Sequence, residues 1–152
     1  MVIAEGAVDI LKKFGIAYDV NVISAHRSPE RALEFAKNAR KRGLKAIIAC
    51  AGSAAHLAGV LASHTTVPVI GIPSPSSDLK GLDALLATVQ MPAGVPVATM
   101  AIGKSGAANG AILAIQMMAL TDNDLRKKLE EYKCELAKKV EDADKKIKEK
   151  TT

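Results

Sequence analysis

The sequence predicts an α/β protein whose parallel β-sheet is covered by helices on both faces. Short β-branched or apolar runs alternate along the chain with helical patterns of about ten or more residues. This alternation is typical of strand–helix–strand units, whose crossover helices pack on both faces of a parallel sheet. The chain has 152 residues, 49% apolar and 24% charged. It is therefore predicted to form a single domain, 1–152, with an α/β core over 1–120 and a charged helix and tail over 121–152.

The first part of the chain is predicted to begin with a helix, although a doubly wound domain normally begins with a strand. Apolar residues recur at helical spacing over 2–14, and Gly15 follows them as a stop signal. The next predicted elements are a buried strand at Val20–Ile23, a helix from Pro29 to Arg42 and a strand from Lys45 to Ala51.

The remainder continues the alternation and ends in a charged helix. The predicted elements are a helix carrying His56 and Leu57 to about Ser63, a strand over Val67–Ile72, a helix over Leu79–Val89 capped by Asp78, a strand over Val97–Ile102 and an Ala-rich helix to Leu120. A narrow apolar stripe then marks the last helix, at Leu125, Leu129, Tyr132, Leu136 and Val140. Such a stripe must pack against this domain or a neighbouring subunit, and the chain beyond 141 is expected to fray.

Composition argues against several classes of protein. The net charge of +5 includes one dense basic cluster, Arg40-Lys41-Arg42, at a predicted helix end, and two Phe, two Tyr and no Trp leave few aromatic rings to stack on bases. No apolar run reaches the ~18 residues of a membrane span, and no signal peptide opens the sequence. Cys50 and Cys134 lie far apart, which indicates reduced thiols in a cytoplasmic protein.

Two predicted strand ends carry histidines. Ser24-Ala25-His26-Arg27 follows the first strand, and Gly52 to Leu57, with His56, follows the second. Ligands bind at this edge of open α/β sheets, and an imidazole beside a guanidinium suits proton transfer on an anionic substrate. From the residues alone, a chance His and Arg on an exposed loop stays open as an alternative. A helix histidine bonded to backbone is the favoured interpretation of His56.

Other motifs do not make sites. Gly103-Lys104-Ser105 looks like the tail of a phosphate loop, but that motif requires glycine where the chain has Ala98. Two histidines without a nearby carboxylate or thiol do not make a metal site. Cys50 lies within an apolar strand, which favours a core residue over a nucleophile.

Four motifs occur together, in order, over residues 2–136. They are Ser24-Ala-His-Arg27, Ala51-Gly-Ser-Ala-Ala-His-Leu57, Val89-Gln-Met-Pro92 with Gly94-Val-Pro-Val97, and Ala101-Ile-Gly-Lys-Ser-Gly-Ala-Ala-Asn109. In combination they resemble the N5-carboxyaminoimidazole ribonucleotide mutase family of purine synthesis, also called the phosphoribosylaminoimidazole carboxylase catalytic subunit. The SAHR and AAHL forms resemble the bacterial mutase branch rather than the branch that uses free CO2.

The resemblance implies a flavodoxin-like three-layer α/β/α sandwich that assembles as a homo-octamer. Active sites would lie between subunits, and the C-terminal helix would pack on neighbouring subunits. The substrate would be a small ribonucleotide, with no nucleic acid, membrane, metal or organic cofactor involved. The reaction would move a carboxylate from the exocyclic nitrogen of an aminoimidazole ribonucleotide to its ring carbon.

The resemblance also implies roles for individual residues. His26 would be the general acid/base, and Arg27 would hold the substrate phosphate. His56 would lie near the reacting carboxylate, which reverses the interpretation from the residues alone. The remaining substrate-lining positions would be Ser24, Ala25, Ala51, Gly52, Ser53 and Leu57.

Three departures from the family pattern have consequences. Serine stands at 53 and alanine at 58, where the family usually has glycine and proline. No residues match the family's first strand and its Gly-Ser-x-Ser-Asp loop, which binds ribose and phosphate. That strand would lie between the strands predicted at 20–23 and 45–51, so two interior ladders would be unmade.

Two explanations of the unmatched strand and loop remain open. Either the start of a normal enzyme is misassigned or engineered, or a shortened chain folds and assembles without catalysis as a binding module. A carboxylase that uses CO2 directly is the enzymatic alternative.

Overall fold

The computed structural model describes residues 2–151, and the chain divides into two compact units, residues 1–114 and 115–152. The elements are α1 (Val2–Phe14), α2 (Pro29–Ala39), β1 (Ile47–Gly52), α3 (Leu57–Ala62), β2 (Val69–Ser74), α4 (Leu82–Val89), β3 (Ala98–Thr99), α5 (Lys104–Ala119) and α6 (Asn123–Thr151). The first unit holds all three strands, and the division falls within α5.

The sheet is parallel and has the order β1-β2-β3. Ile47 of β1 pairs with Val69 of β2, and Ile70 of β2 pairs with Ala98 of β3. Five of the six residues of β2 are buried, because this strand lies in the middle of the sheet. The predicted α/β class with a parallel sheet is confirmed.

Helices cover both faces of this sheet. On one face, the small residues Ala32, Ala36 and Ala39 of α2 form a buried cluster with apolar residues of β1 and β2. The other face is covered by α5, where a Cβ added to Gly110 would lie 2.9 Å from Cδ1 of Ile72. Small residues therefore let the helices approach the sheet closely on both sides.

The prediction of a buried strand over Val20–Ile23 is wrong. Val20 and Val22 are exposed, at 59% and 84% of their surface, and residues 17–23 form no backbone–backbone hydrogen bond with another residue that the structure describes. β1 pairs with β2 alone, so no strand of the described residues lies beside this segment. A β-branched run becomes a strand only where a neighbour satisfies its backbone groups.

Three smaller predictions are also corrected. β3 has two residues rather than six, although Met100 N–H still donates to the Gly71 carbonyl at 2.9 Å. Asp78 does not cap α4, because the chain makes a further turn and Gly81, at φ 92°, is the N-cap. The chain beyond 141 continues as helix, with an ion pair between Lys148 and Asp144 at 2.7 Å.

The second unit consists of the end of α5 and the long helix α6. Leu125, near the start of α6, is buried, whereas Leu136, Val140 and Ile147 expose 44%, 71% and 66% of their surface. No helix within the described part of the chain is long and apolar enough to cross a membrane.

Candidate active site

Two loops at the carboxyl edge of the sheet carry the predicted site residues. The loop 24–28 leads into α2, and Pro29 opens that helix at its first turn, where a missing N–H is tolerated. The loop 53–56 leaves β1, and His56 is the N-cap of α3. Ligands commonly bind at this edge in α/β proteins, because loops from neighbouring elements converge there.

The two loops meet through their histidines. Nε2 of His26 lies 2.9 Å from Nδ1 of His56, within hydrogen-bond distance. The two rings are perpendicular, with an interplanar angle of 85° and centroids 5.0 Å apart. Both side chains are exposed at the rim of the sheet. The structure thus brings together the two histidines that the sequence placed after separate elements.

The histidine pair can hold one proton between its facing nitrogens. One nitrogen must donate and the other must accept, since two N–H groups facing each other would repel. Accepting a proton at the facing nitrogen would break this bond, so the proton content of one ring depends on the other. The pair is therefore suited to taking a proton and giving it back.

The loop that carries His26 is closed by two serines. The backbone N–H of Arg27 donates to Oγ of Ser24 at 3.1 Å. The hydroxyl of Ser28 donates to the Ser24 carbonyl at 3.0 Å and accepts from the Ser24 N–H at 3.2 Å. These bonds fix a turn in which Ala25 and His26 are the central residues.

The guanidinium of Arg27 is available for a ligand. It forms no ion pair or hydrogen bond with the side chains of the described residues, and the residue is exposed. A free guanidinium presents paired donors that match phosphate or carboxylate oxygens. Arg27 follows His26 directly in the chain, so a guanidinium and an imidazole come from the same turn.

The loop that follows β1 packs closely against the residues at the end of β2. A Cβ added to Gly52 would lie 2.9 Å from Cβ of Ser76 and 3.3 Å from Cβ of Ser74, so only glycine lets these chains approach. Ser53 follows with φ 54°, a left-handed conformation uncommon for serine. Ala51 pairs with Pro73, and the ladder between β1 and β2 ends one pair later, at Gly52 and Ser74.

A groove of 420 Å³ opens beside His56. It is lined by His56, Gly59, Val60, Leu86, Ala87, Gln90 and Met91. Gln90 and Met91 belong to the Val89-Gln-Met-Pro92 motif, so a third motif of the sequence reaches the histidine pair. Leu57, by contrast, is only half-buried at the start of α3 and does not line this groove.

Sequence reasoning missed Ser28 and Ser76. Ser28 directly precedes the helix predicted from Pro29, and the signal that could have found its role is its spacing of four from Ser24. Ser76 follows β2, the strand beside β1, so its loop had to open on the same edge.

Two other candidates are structural. Burial raises the pKa of the Cys50 thiol, which disfavours the thiolate that a nucleophile needs. Nζ of Lys104, in the rejected phosphate-loop sequence, lies 3.8 Å from a carboxylate oxygen of Asp9 on α1. Neither residue belongs to the histidine site.

Known proteins resemble this chain over most of its length. The model of the family described as AIR carboxylase matches residues 1–139. Proteins named N5-carboxyaminoimidazole ribonucleotide mutase from Saccharolobus solfataricus, Pyrococcus horikoshii and Bacillus subtilis are 56%, 49% and 54% identical to it. These matches cover 83%, 94% and 82% of this chain and 78%, 80% and 77% of the relatives.

A solved structure agrees with the sequence matches. The crystal structure of Treponema denticola PurE superposes with a TM-score of 0.81 at 27% identity, covering 94% of this chain and 88% of that one. The fold is therefore flavodoxin-like, as the motifs predicted. With its motifs, its fold and most of its length matched, the chain belongs to the AIR carboxylase family.

Proposed function

We propose that the chain is a mutase of purine biosynthesis that converts N5-carboxyaminoimidazole ribonucleotide into 4-carboxy-5-aminoimidazole ribonucleotide. The observation that carries this proposal is the meeting of His26 and His56 at 2.9 Å, beside the unpaired guanidinium of Arg27. The relatives that are about half identical bear this mutase name. The reaction needs a reversible proton donor beside an anion-binding group, and these residues supply both.

His26 is the general acid/base of this proposal. As the bond between the exocyclic nitrogen and the carboxylate carbon breaks and CO2 leaves, His26 gives a proton to the ring carbon. His26 then removes a proton from that carbon, and the electron pair of the broken C–H bond forms the new C–C bond to the held CO2. The net change is an isomerisation, with the proton restored. An imidazole suits both steps, because its ring nitrogen can accept a proton and give it back.

His56 and Arg27 support the two ends of the substrate. His56, bonded to His26 and bordering the groove, lies near the migrating carboxylate and fixes the proton on His26. Arg27 binds the phosphate of the ribonucleotide with its free guanidinium. The Ser24 hydroxyl accepts from Arg27 N–H and keeps its own proton to donate to the substrate. Ala25 stands beside Ser24 in the same turn.

The second loop forms the opposite wall. The residues of this loop that line the substrate are Ala51, Gly52, Ser53 and Leu57. Gly52 has no side chain between this loop and the neighbouring loop of Ser76, so the two loops lie close together. Small residues there let the ligand reach the backbone. No resident metal or organic cofactor is part of this proposal.

A homo-octamer in the cytoplasm completes the proposal. His26 and His56 are exposed in the single chain, whereas CO2 must be held in a closed, water-poor pocket between its release and recapture. Neighbouring subunits would provide that closure. The exposed apolar side chains of α4 and α6, among them Leu86 and Val140, would be covered by the assembly. Both cysteines are free, as in a reducing compartment.

The test is conversion of substrate carrying ¹³C in its carboxylate, in buffer containing unlabelled bicarbonate. A mutase retains the label in the carbon-linked product, and His26→Asn should lower kcat by about 10²- to 10⁴-fold. His64→Asn is the matched control, because His64 is another exposed histidine, and its ring lies within hydrogen-bond distance of the Ser63 hydroxyl and the Val60 carbonyl rather than of the site.

Three results would contradict the proposal. Product without label, formed from aminoimidazole ribonucleotide and CO2, would identify a carboxylase. A folded chain that binds the nucleotide without converting it would identify a binding module. Full activity in His26→Asn would remove His26 from the chemistry.

A further inference from the structure

The hydroxyl of Ser28 points away from the helix that Ser28 begins. Serine is favoured as an N-cap because its oxygen accepts a hydrogen bond from an N–H of the first turn. Ser28 is the N-cap of α2 and makes no such bond. Its Oγ instead accepts from the N–H of Ser24 at 3.2 Å and donates to the carbonyl of Ser24 at 3.0 Å. Helix capping therefore does not explain this serine.

The two bonds tie the start of the loop to its end. The backbone N–H of Ser28 also donates to the Ser24 carbonyl, at 3.0 Å. His26 and Arg27 lie between these two tied residues. Within the described part of the chain, the preceding residues 17–23 form no backbone–backbone hydrogen bond, so no β-ladder of these residues holds the loop from that side. The position of His26 depends on the Ser24–Ser28 closure more than it would after a paired strand.

We propose that Ser28 is a positioning residue that holds His26 at hydrogen-bond distance from His56. This inference deepens the proposed function, because it assigns the residue that keeps the acid/base in place. Ser28 acts through the loop and does not itself touch the substrate. The hydroxyl at position 28 should therefore be needed to hold His26 in place, whereas the volume of the side chain at this position should have little effect.

Three variants test the role. Ser28→Ala removes the hydroxyl, and Ser28→Thr retains it. Ser63→Ala is the matched control, because the Ser63 hydroxyl also donates to a local backbone carbonyl, that of Val60 at 2.9 Å. Ser63 belongs to the end of α3 rather than to the site. Circular dichroism first establishes that each variant is folded, and a Ser28→Ala chain that does not fold would count against a role confined to positioning.

The first measurement needs no substrate. Diethyl pyrocarbonate modifies free imidazole nitrogens, and mass spectrometry follows the rate at each histidine. We expect Ser28→Ala to raise the rate at His26 by about threefold or more, since its bond to His56 is loosened. Ser28→Thr should restore the rate, and the rate at His64 should be unchanged in both Ser28 variants. An unchanged rate at His26 in Ser28→Ala would overturn the inference, whether or not the chain is a mutase.

The second measurement uses the mutase reaction. We expect Ser28→Ala to lower kcat by roughly 10- to 100-fold, the scale of a misplaced catalytic group, with little change in KM. Ser28→Thr should regain most of kcat, and Ser63→Ala should leave it unchanged. Equal losses in Ser28→Ala and Ser28→Thr would contradict a role for the hydroxyl. An inactive natural chain with a normal His26 modification pattern would instead refute the proposed function and leave the positioning role standing.

Discussion

The central strand β2 and the segment 17–23 both contain β-branched residues, but only β2 forms a strand. β2 is paired on both edges, and Ile70 and Ile72 expose no more than 1% of their surface. The segment 17–23 is unpaired, and Val22 exposes 84% of its surface. The difference teaches that a strand is made by its neighbours, because backbone pairing is a nonlocal requirement that a local sequence cannot meet alone.

Hydrogen exchange should show the largest contrast between the two regions. The residues Ile70–Ile72 are paired within the sheet, so we expect their amides to exchange only when the sheet unfolds. The amides of 17–23 have no backbone partner among the described residues. We expect exchange to be slower in β2 by a factor of about 10³ or more, measured by mass spectrometry on peptides of each region. Comparable protection of 17–23 would mean that this segment acquires a pairing partner in solution.

Shortening a buried side chain in β2 should cost much stability. The buried side chain of Ile72 lies against Gly110 of α5, so Ile72→Ala would leave a cavity between β2 and α5. We expect the free energy of unfolding to fall by about 2–5 kcal/mol, measured by urea denaturation at one fixed protein concentration. A loss below 1 kcal/mol would show that the core relaxes to fill the space.

The two cysteines compare the sheet with an exposed helix by chemistry. Burial raises the pKa of Cys50 in β1, whereas Cys134 on α6 is exposed. Iodoacetamide should therefore alkylate Cys50 more slowly than Cys134, by about tenfold or more at pH 7. Because the raised pKa favours the neutral thiol, the stability that Cys50 contributes is present at neutral pH and is lost as the pH rises through its folded-state pKa. Equal alkylation rates would place Cys50 at an open surface.

A substitution in the unpaired segment should have the smallest effect. Val22→Ala removes two methyl groups that solvent already reaches. We expect the free energy of unfolding to change by no more than about 0.5 kcal/mol, in the same urea assay as Ile72→Ala. A loss as large as that of Ile72→Ala would erase the contrast, since it would show that Val22 is buried in solution.

How far the sequence predicts the fold follows from the same contrast. The strands at 47–52 and 69–74 and the helix at 104–119 were found to within a few residues, because their patterns agree with their surroundings. The predicted strand at Val20–Ile23 is wrong. Its β-branched residues are typical of a strand, but no strand of the described residues pairs with it. β3 was overestimated for a similar reason, because ladder pairing ends after Thr99.

The candidate site was predicted in its parts more than in its geometry. Motifs placed His26 and His56 on separate loops, but the 2.9 Å contact between Nε2 and Nδ1 depends on how the loops converge. The bonds from Ser28 back to Ser24 have only the spacing of four residues as a local signal, because a serine before a proline-started helix is normally its cap. Local signals identify candidate chemistry, whereas orientation comes from tertiary contacts.

The left-handed backbone at Ser53 has a consequence for the evolution of this chain. A side chain at φ 54° costs about 1 kcal/mol that glycine would avoid. Laboratory selection for heat resistance alone should therefore enrich Ser53→Gly. Selection for turnover should retain serine only if its hydroxyl contacts the nucleotide. Serine retained under that selection would therefore indicate an adaptation, whereas its replacement by glycine under both selections would indicate drift.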